Sequence, residues 1–228
     1  MDGRNCNGEY EYEILRNVHP WSKYPWRRSY VVWTIAGMSI FCYLAVTNNQ
    51  EISSLLKLSC GKGFRLWQPL TACFTEVCGF NLLGFLLLQL FFGVPLEHEW
   101  SHRDLALVYI IAGCVSSLVL YMFAASGTVY ASPMGAVSGM LATAWWQLRG
   151  EKVNVFIIGI MQLRTIVLTI IAAMLILCLI QGAIVLMVVP LSGFAVGLLY
   201  CHLEKILQQS EAKTYKDNKK RISKIEID

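Results

Sequence analysis

Residues 96–102, LEHEWSH, place His98, Glu99 and His102 in the spacing of a zinc-hydrolase helix. On one continuous helix, side chains four apart share a face. Both imidazoles would then hold Zn²⁺ while the glutamate activates a bound water. Such a site also needs a third protein ligand, yet residues 105–150 contain no Asp, Glu or His. Glu151 and His202, at the ends of the fourth and sixth spans, are the candidates to complete a set. The expectation is therefore a solvated turn with no cofactor, His98 and His102 being the metal candidates if there are any. Serine chemistry has equally little support. Ser132 and Ser138 could serve as nucleophiles, but a base would have to come from His19, His98, His102 or His202, or from Glu76.

The elements around these residues belong to a membrane. The 228 residues are 56% hydrophobic and 15% charged, where a soluble domain carries roughly 25% charged residues. Mean hydropathy is +0.51. Six windows approach the roughly 20 apolar residues of a span: 29–48, 78–96, 104–124, 133–148, 165–182 and 185–203. The expected fold is an all-α, six-helix membrane bundle over 29–203, between a polar segment 1–28 and a basic tail 204–228. Arg16, Lys23, Arg27 and Arg28 precede the first span, which would act as an uncleaved signal. Together with Arg149, Lys152, Arg164 and the tail lysines they put both termini in the cytosol. Lys57, Lys62 and Arg65, in the first loop, oppose that orientation but are fewer.

The tail reads as a solvated, unstructured end whose lysines can touch anionic lipid, at about 1 kcal/mol per basic residue. Nothing points to nucleic acid, and the spans carry no acidic chain suited to proton transport. The first loop, 49–77, reads as a hairpin in the membrane surface with Trp67 as interface anchor. Residues 153–163 read as a surface-lying lead-in to the fifth span. Cys60, Cys73 and Cys78 allow one disulfide but do not specify it. Gly135 and Gly139 on the fourth span, and Gly193 and Gly197 on the sixth, form small-residue faces that predict a tight crossing.

These features, in this order, resemble the rhomboid family of intramembrane serine proteases. The resemblance rests on WQPLTACF (67–74), GVPLEHEW (93–100, with Gly93 and Glu97 in family positions), MGAVSGMLA (134–142) and LSGFAVGLL (191–199). It implies a six-helix core in which Glu97 closes the turn between the second and third spans by bonding nearby backbone. It also implies a catalytic serine at the start of the fourth span and a histidine base on the sixth. Here the family's Gly-x-Ser-Gly motif falls on Ser132-Pro133-Met134-Gly135, so Met134 takes the nucleophile's place. A thioether has no proton to lose. The base falls on Pro190, the two second-span histidines on Glu76 and Asn81, and the oxyanion-binding asparagine on Phe85. Gln68 replaces a loop arginine, and Ser101 a glycine.

The resemblance therefore implies a protein that is not an enzyme: a pseudoprotease of the endoplasmic reticulum membrane that binds transmembrane helices of client proteins. Its binding gap would lie between the second and fifth spans, with Trp67, Asn81 and Phe85 as partner-binding candidates. Asn81 is also expected to bond within its own bundle. The alternatives are a permanent subunit of a larger membrane complex, and a zinc protease acting through residues 98–102.

Overall fold

The computed structural model describes residues 29–61, 63–148, 152–155, 159–180 and 184–225, with backbone alone for 152–155, 159–161, 211–212 and 214–225. The segment 1–28, Lys62, Arg149 and Glu151 lie outside the described residues. Chain order is α1 (Tyr30–Asn48), α2 (Gln50–Leu56), β1 (Leu58–Ser59), α3 (Gln68–Ala72), α4 (Gly79–Glu99) and α5 (His102–Phe123). There follow β2 (Val129–Tyr130), α6 (Met134–Gln147), β3 (Lys152–Val155), β4 (Gly159–Gln162) and α7 (Leu163–Ile180). A 3₁₀ turn (Ile184–Met187) then leads into α8 (Val188–Ile225).

Among the described residues, five helical segments are long and apolar enough to cross a membrane: α1, α4, α5, α7 and the stretch Ile184–Ser210 leading into and along α8. The remaining window is different. Helix α6 has 14 residues, about 21 Å at 1.5 Å per residue, against a hydrocarbon core of about 30 Å. Gly135 to Ala144 are all buried along it, and α4, α5 and α8 pack around it. Its small residues answer to neighbouring helices rather than to lipid. The expected crossing is present and close. A methyl on Gly193 would collide with the Gly135 carbonyl oxygen, and one on Gly197 with that of Gly139. On the other side of α6, Gly135 and Gly139 abut Ser116 and Ala112 of α5. Gly93 plays the same part for α1, since its methyl would meet Val32 Cγ2 at 2.8 Å.

The first loop does more than lie in a surface. β1 pairs antiparallel with β2, Leu58 opposite Tyr130 and Ser59 opposite Val129. This pins the loop to the connection that feeds α6. The pairing is extended by Cys60 N to Thr128 O at 2.8 Å and by Gly127 N to Cys60 O at 2.7 Å. Gly61 and Gly127 turn the chain there at φ 113° and 93°, values that favour glycine. Gln68, fully buried, knits the loop together. Its Oε1 accepts from Ser59 N (3.2 Å) and Arg65 N (3.1 Å), and its Nε2 donates to Ser54 O and Gly63 O at 3.4 Å each. Removing an amide that satisfies buried backbone groups costs about 1–3 kcal/mol. Gln68→Ala is expected to lower unfolding stability by that amount in a detergent melt.

Two expectations fail here. Residues 153–163 are not a simple surface lead-in: β3 and β4 form an antiparallel hairpin, Lys152 opposite Gln162 and Val155 opposite Gly159. The run is rich in β-branched residues, which suit strands. The tail is not unstructured either, because α8 continues to Ile225. No Gly or Pro follows Gly197, and Glu, Lys, Gln, Leu and Ala are strong helix formers.

Candidate functional site

Where β1–β2, α4 and α6 converge, the chain builds a buried polar cluster around Glu76. Its Oε1 accepts from Val77 N (2.9 Å) and Cys78 N (3.3 Å), and its Oε2 accepts from Ser132 Oγ (2.9 Å). The Asn81 side chain also bonds this carboxyl. Asn81 thus takes the bond within its own bundle, at the first turn of α4. Burial pushes the Glu76 carboxyl above its ordinary value, its hydrogen bonds only partly offsetting that. Tyr130 is buried beside it, and burial raises its phenol too.

The sign of the Glu76 shift gives a pH dependence. A carboxyl whose folded pKa is raised favours folding when protonated. That contribution is complete below the unfolded value near 4.5 and is lost as pH climbs through the folded pKa. Glu76→Gln abolishes the titration. The melting temperature of wild type relative to Glu76→Gln is therefore expected to fall as pH rises above about 4.5, and a pH series of detergent melts reads it.

Met134 is the first residue of α6, just after Pro133. It is half-buried and packs against both apolar cores, the large one under α4–α7 and the smaller one at Leu58, Leu120 and Val189. A flexible thioether suits such a junction. Pro190 is buried in the first turn of α8, where a missing N–H costs nothing. The Gly135–Gly193 crossing puts both at one end of the α6–α8 pair.

Ser132 is the hydroxyl nearest to nucleophile chemistry, and it already donates to a carboxylate. Yet that carboxylate is held by two backbone amides and Asn81 as well. Together these donors orient the carboxyl and clamp the first loop to α6. The described histidines are remote. His98 lies 17 residues along α4 from Asn81 (98 − 81), about 26 Å at 1.5 Å per residue. His202 lies 12 residues along α8 from Pro190 (202 − 190), about 18 Å.

The zinc signature is broken by the fold. α4 ends at Glu99 and α5 begins at His102, with Trp100 and Ser101 between them. The two histidines therefore do not share a helix face. His102 Nδ1 lies 2.7 Å from Glu97 Oε1, and His98 Nε2 lies 3.3 Å from Ser29 Oγ. Among the described residues, no group of three His, Cys, Asp or Glu side chains is placed to hold a metal. Glu97 itself corrects an expectation. Beyond the turn, its carboxylate accepts from Val31 N (2.9 Å) and Val32 N (3.0 Å), capping the start of α1.

Of the partner-binding candidates, Asn81 and Phe85 share a face of α4 one turn apart. Trp67 belongs instead to the first loop, where its Nε1 donates to Leu55 O at 3.3 Å and Arg65 stacks over its ring. Its helix α3 packs chiefly on α5. On another face of α4, Phe80, Leu83 and Leu87 are exposed, as are Leu168, Ile176 and Leu177 on α7. Both helices pack on α6, and they do not pack along each other. Cys60, Cys73 and Cys78 are free thiols. Sequence reasoning passed over Gln68 as a lost arginine, although a polar side chain in an apolar loop signals a local hydrogen-bond hub.

A family model described as Rhomboid domain matches residues 63–204. That is 142 of the 228 residues, well over half. No curated protein matches the chain.

Proposed function

The chain belongs to the rhomboid family, and from that premise we propose that it is a catalytically inactive member that binds transmembrane segments of client or partner proteins. The reading is carried by one observation: the two dyad positions are Met134 and Pro190, and among the described residues no histidine comes near them. Neither residue can take up or release a proton. Of the two neighbouring serines, Ser138 donates to the Gly135 carbonyl oxygen, and Ser132 donates to the Glu76 carboxyl, which further donors hold as a clamp. The proposal further takes the bundle as six spans, α6 included, with both termini cytosolic in the endoplasmic reticulum membrane. Client binding is supported by the exposed apolar residues of α4 and α7, two helices that pack on α6 and not along each other. Its role would be to retain, escort or stabilise those proteins.

A second reading is that of a permanent subunit in a larger complex. It is favoured by Leu66, 88% exposed at the edge of the first loop, and by the long helical extension of α8.

Photo-crosslinkers at Leu87 and Leu168 test the proposal. Adducts with single-span segments of several proteins are expected there, and few from Leu118 on α5. One adduct of fixed stoichiometry, formed through Leu66 instead, would favour the subunit. Equal labelling from all sites would reject a binding gap.

A further inference from the structure

A second open surface lies away from that gap, between α1 and α5. It is an apolar groove of about 300 Å³, lined among others by Tyr30, Thr34, Met38, Phe74, Ala106 and Ile110. The Thr34 hydroxyl is turned back onto the Tyr30 carbonyl at 2.7 Å, so it offers the groove no free donor. From Tyr30 to Met38 is eight residues (38 − 30), about 12 Å along the helix.

The lining is almost wholly apolar, which suits a hydrocarbon chain running along the helices.

The mouth adds charge. Arg103, Ala106 and Ile110 stand at i, i+3 and i+7 on α5, one helix face. Side chains lean towards the helix N-terminus, so Arg103 projects past the groove at the end where α1 and α5 begin. It is exposed, and its guanidinium has no ion pair or hydrogen bond among the described residues. The acids close to it in sequence are engaged elsewhere: Glu97 by His102 and the α1 amides, Asp104 by the Tyr200 hydroxyl at 2.7 Å, and Glu99 by a partner of its own. An Arg stem lies readily along apolar surface while its head stays at the interface, and Tyr30 is an interfacial type as well.

We propose that this groove holds one acyl chain of an anionic glycerophospholipid, with the phosphate on Arg103. The site is independent of whether the protein is a protease. It requires only that α1 and α5 span the bilayer.

The full chain in mild detergent, mixed with equal amounts of palmitoyl-oleoyl phosphatidylglycerol and phosphatidylcholine, is read by native mass spectrometry. Wild type is expected to retain the anionic lipid about fivefold over the zwitterionic one, the bias that one interfacial basic residue supplies. Arg103→Gln should erase the bias while keeping lipid bound. Ala106→Trp and, independently, Met38→Trp should block the groove and lower both adducts, with melting curves confirming that each variant is folded. Equal retention of the two lipids by wild type overturns the proposal, as do adducts undiminished in folded groove-filling variants. A photo-crosslinker at Ile110 that captures a protein helix or a second copy of the chain, and not lipid, overturns it too.

Discussion

Glu97→Ala is expected to be the most damaging single substitution outside the glycines, lowering unfolding stability by about 3–5 kcal/mol, the usual cost of leaving a buried charged network half-made. Glu97 is 1% exposed and serves three donors at once. The Val31 and Val32 amides are first-turn N–H groups, which a helix cannot satisfy internally, and a carboxylate there also meets the positive end of the helix. Removing it strands both amides, leaves His102 without its partner, and unties α1 from the α4–α5 turn. Glu97→Gln should recover only part of the loss, since its NH₂ group would face groups that also donate. Melts monitored by circular dichroism give the number, and protease sensitivity of α1 locates the damage. An Ala variant within about 1 kcal/mol of wild type would mean that the carboxylate makes no net contribution.

Gly193→Val is expected to disrupt the α6–α8 pair outright. Even the smallest side chain at Gly193 collides with the Gly135 carbonyl oxygen, and the same atom would press on Ser138 Oγ. Neither can retreat: one is helix backbone, and the other is buried and bonded to Gly135 O at 2.8 Å. The helices must separate, and close packing is what holds helices together in lipid. Overpacking typically costs 1–3 kcal/mol, and a branched side chain against backbone belongs at or above the top of that range. By contrast, Gly84→Ala should be neutral or mildly stabilising, because a methyl there meets nothing within 4 Å. Folded yield in detergent and melting temperature separate the two variants.

How far the sequence could be read depends on whether the signal was local. Unbroken apolar runs placed five membrane-length helices to within a few residues. The paired glycines announced the α6–α8 crossing because small side chains at four-residue spacing have one main use in lipid. Helix α6 was harder. Its composition suits burial among helices, but an apolar window cannot distinguish a short buried helix from a full crossing. The break in LEHEWSH was legible as a turn between two spans: Ser101 followed by Asp104 is the signature of a helix start, and Ser101 Oγ does accept from Arg103 N at 3.3 Å. That cap divides the zinc motif between two helices. The two-residue pairing of β1 with β2 left no local trace, because its partners lie about seventy residues apart in sequence and the pairing is fixed by tertiary position. The Glu76–Ser132 bond likewise depends on that pairing. The groove between α1 and α5 has no sequence signal beyond Arg103 standing a turn from Ala106.

The central claim, that the protein holds membrane helices without cutting them, is tested most directly in a reconstituted bilayer. Wild type, Ser132→Ala and His98→Ala are incubated with a panel of tagged single-span proteins, and cleavage and co-capture are read from the same samples. The account predicts intact substrates in all three, with wild type capturing a subset of them. Cleavage by wild type that Ser132→Ala abolishes would contradict it and make the Glu76–Ser132 pair an active site. Cleavage that only His98→Ala abolishes would do the same for the turn between α4 and α5.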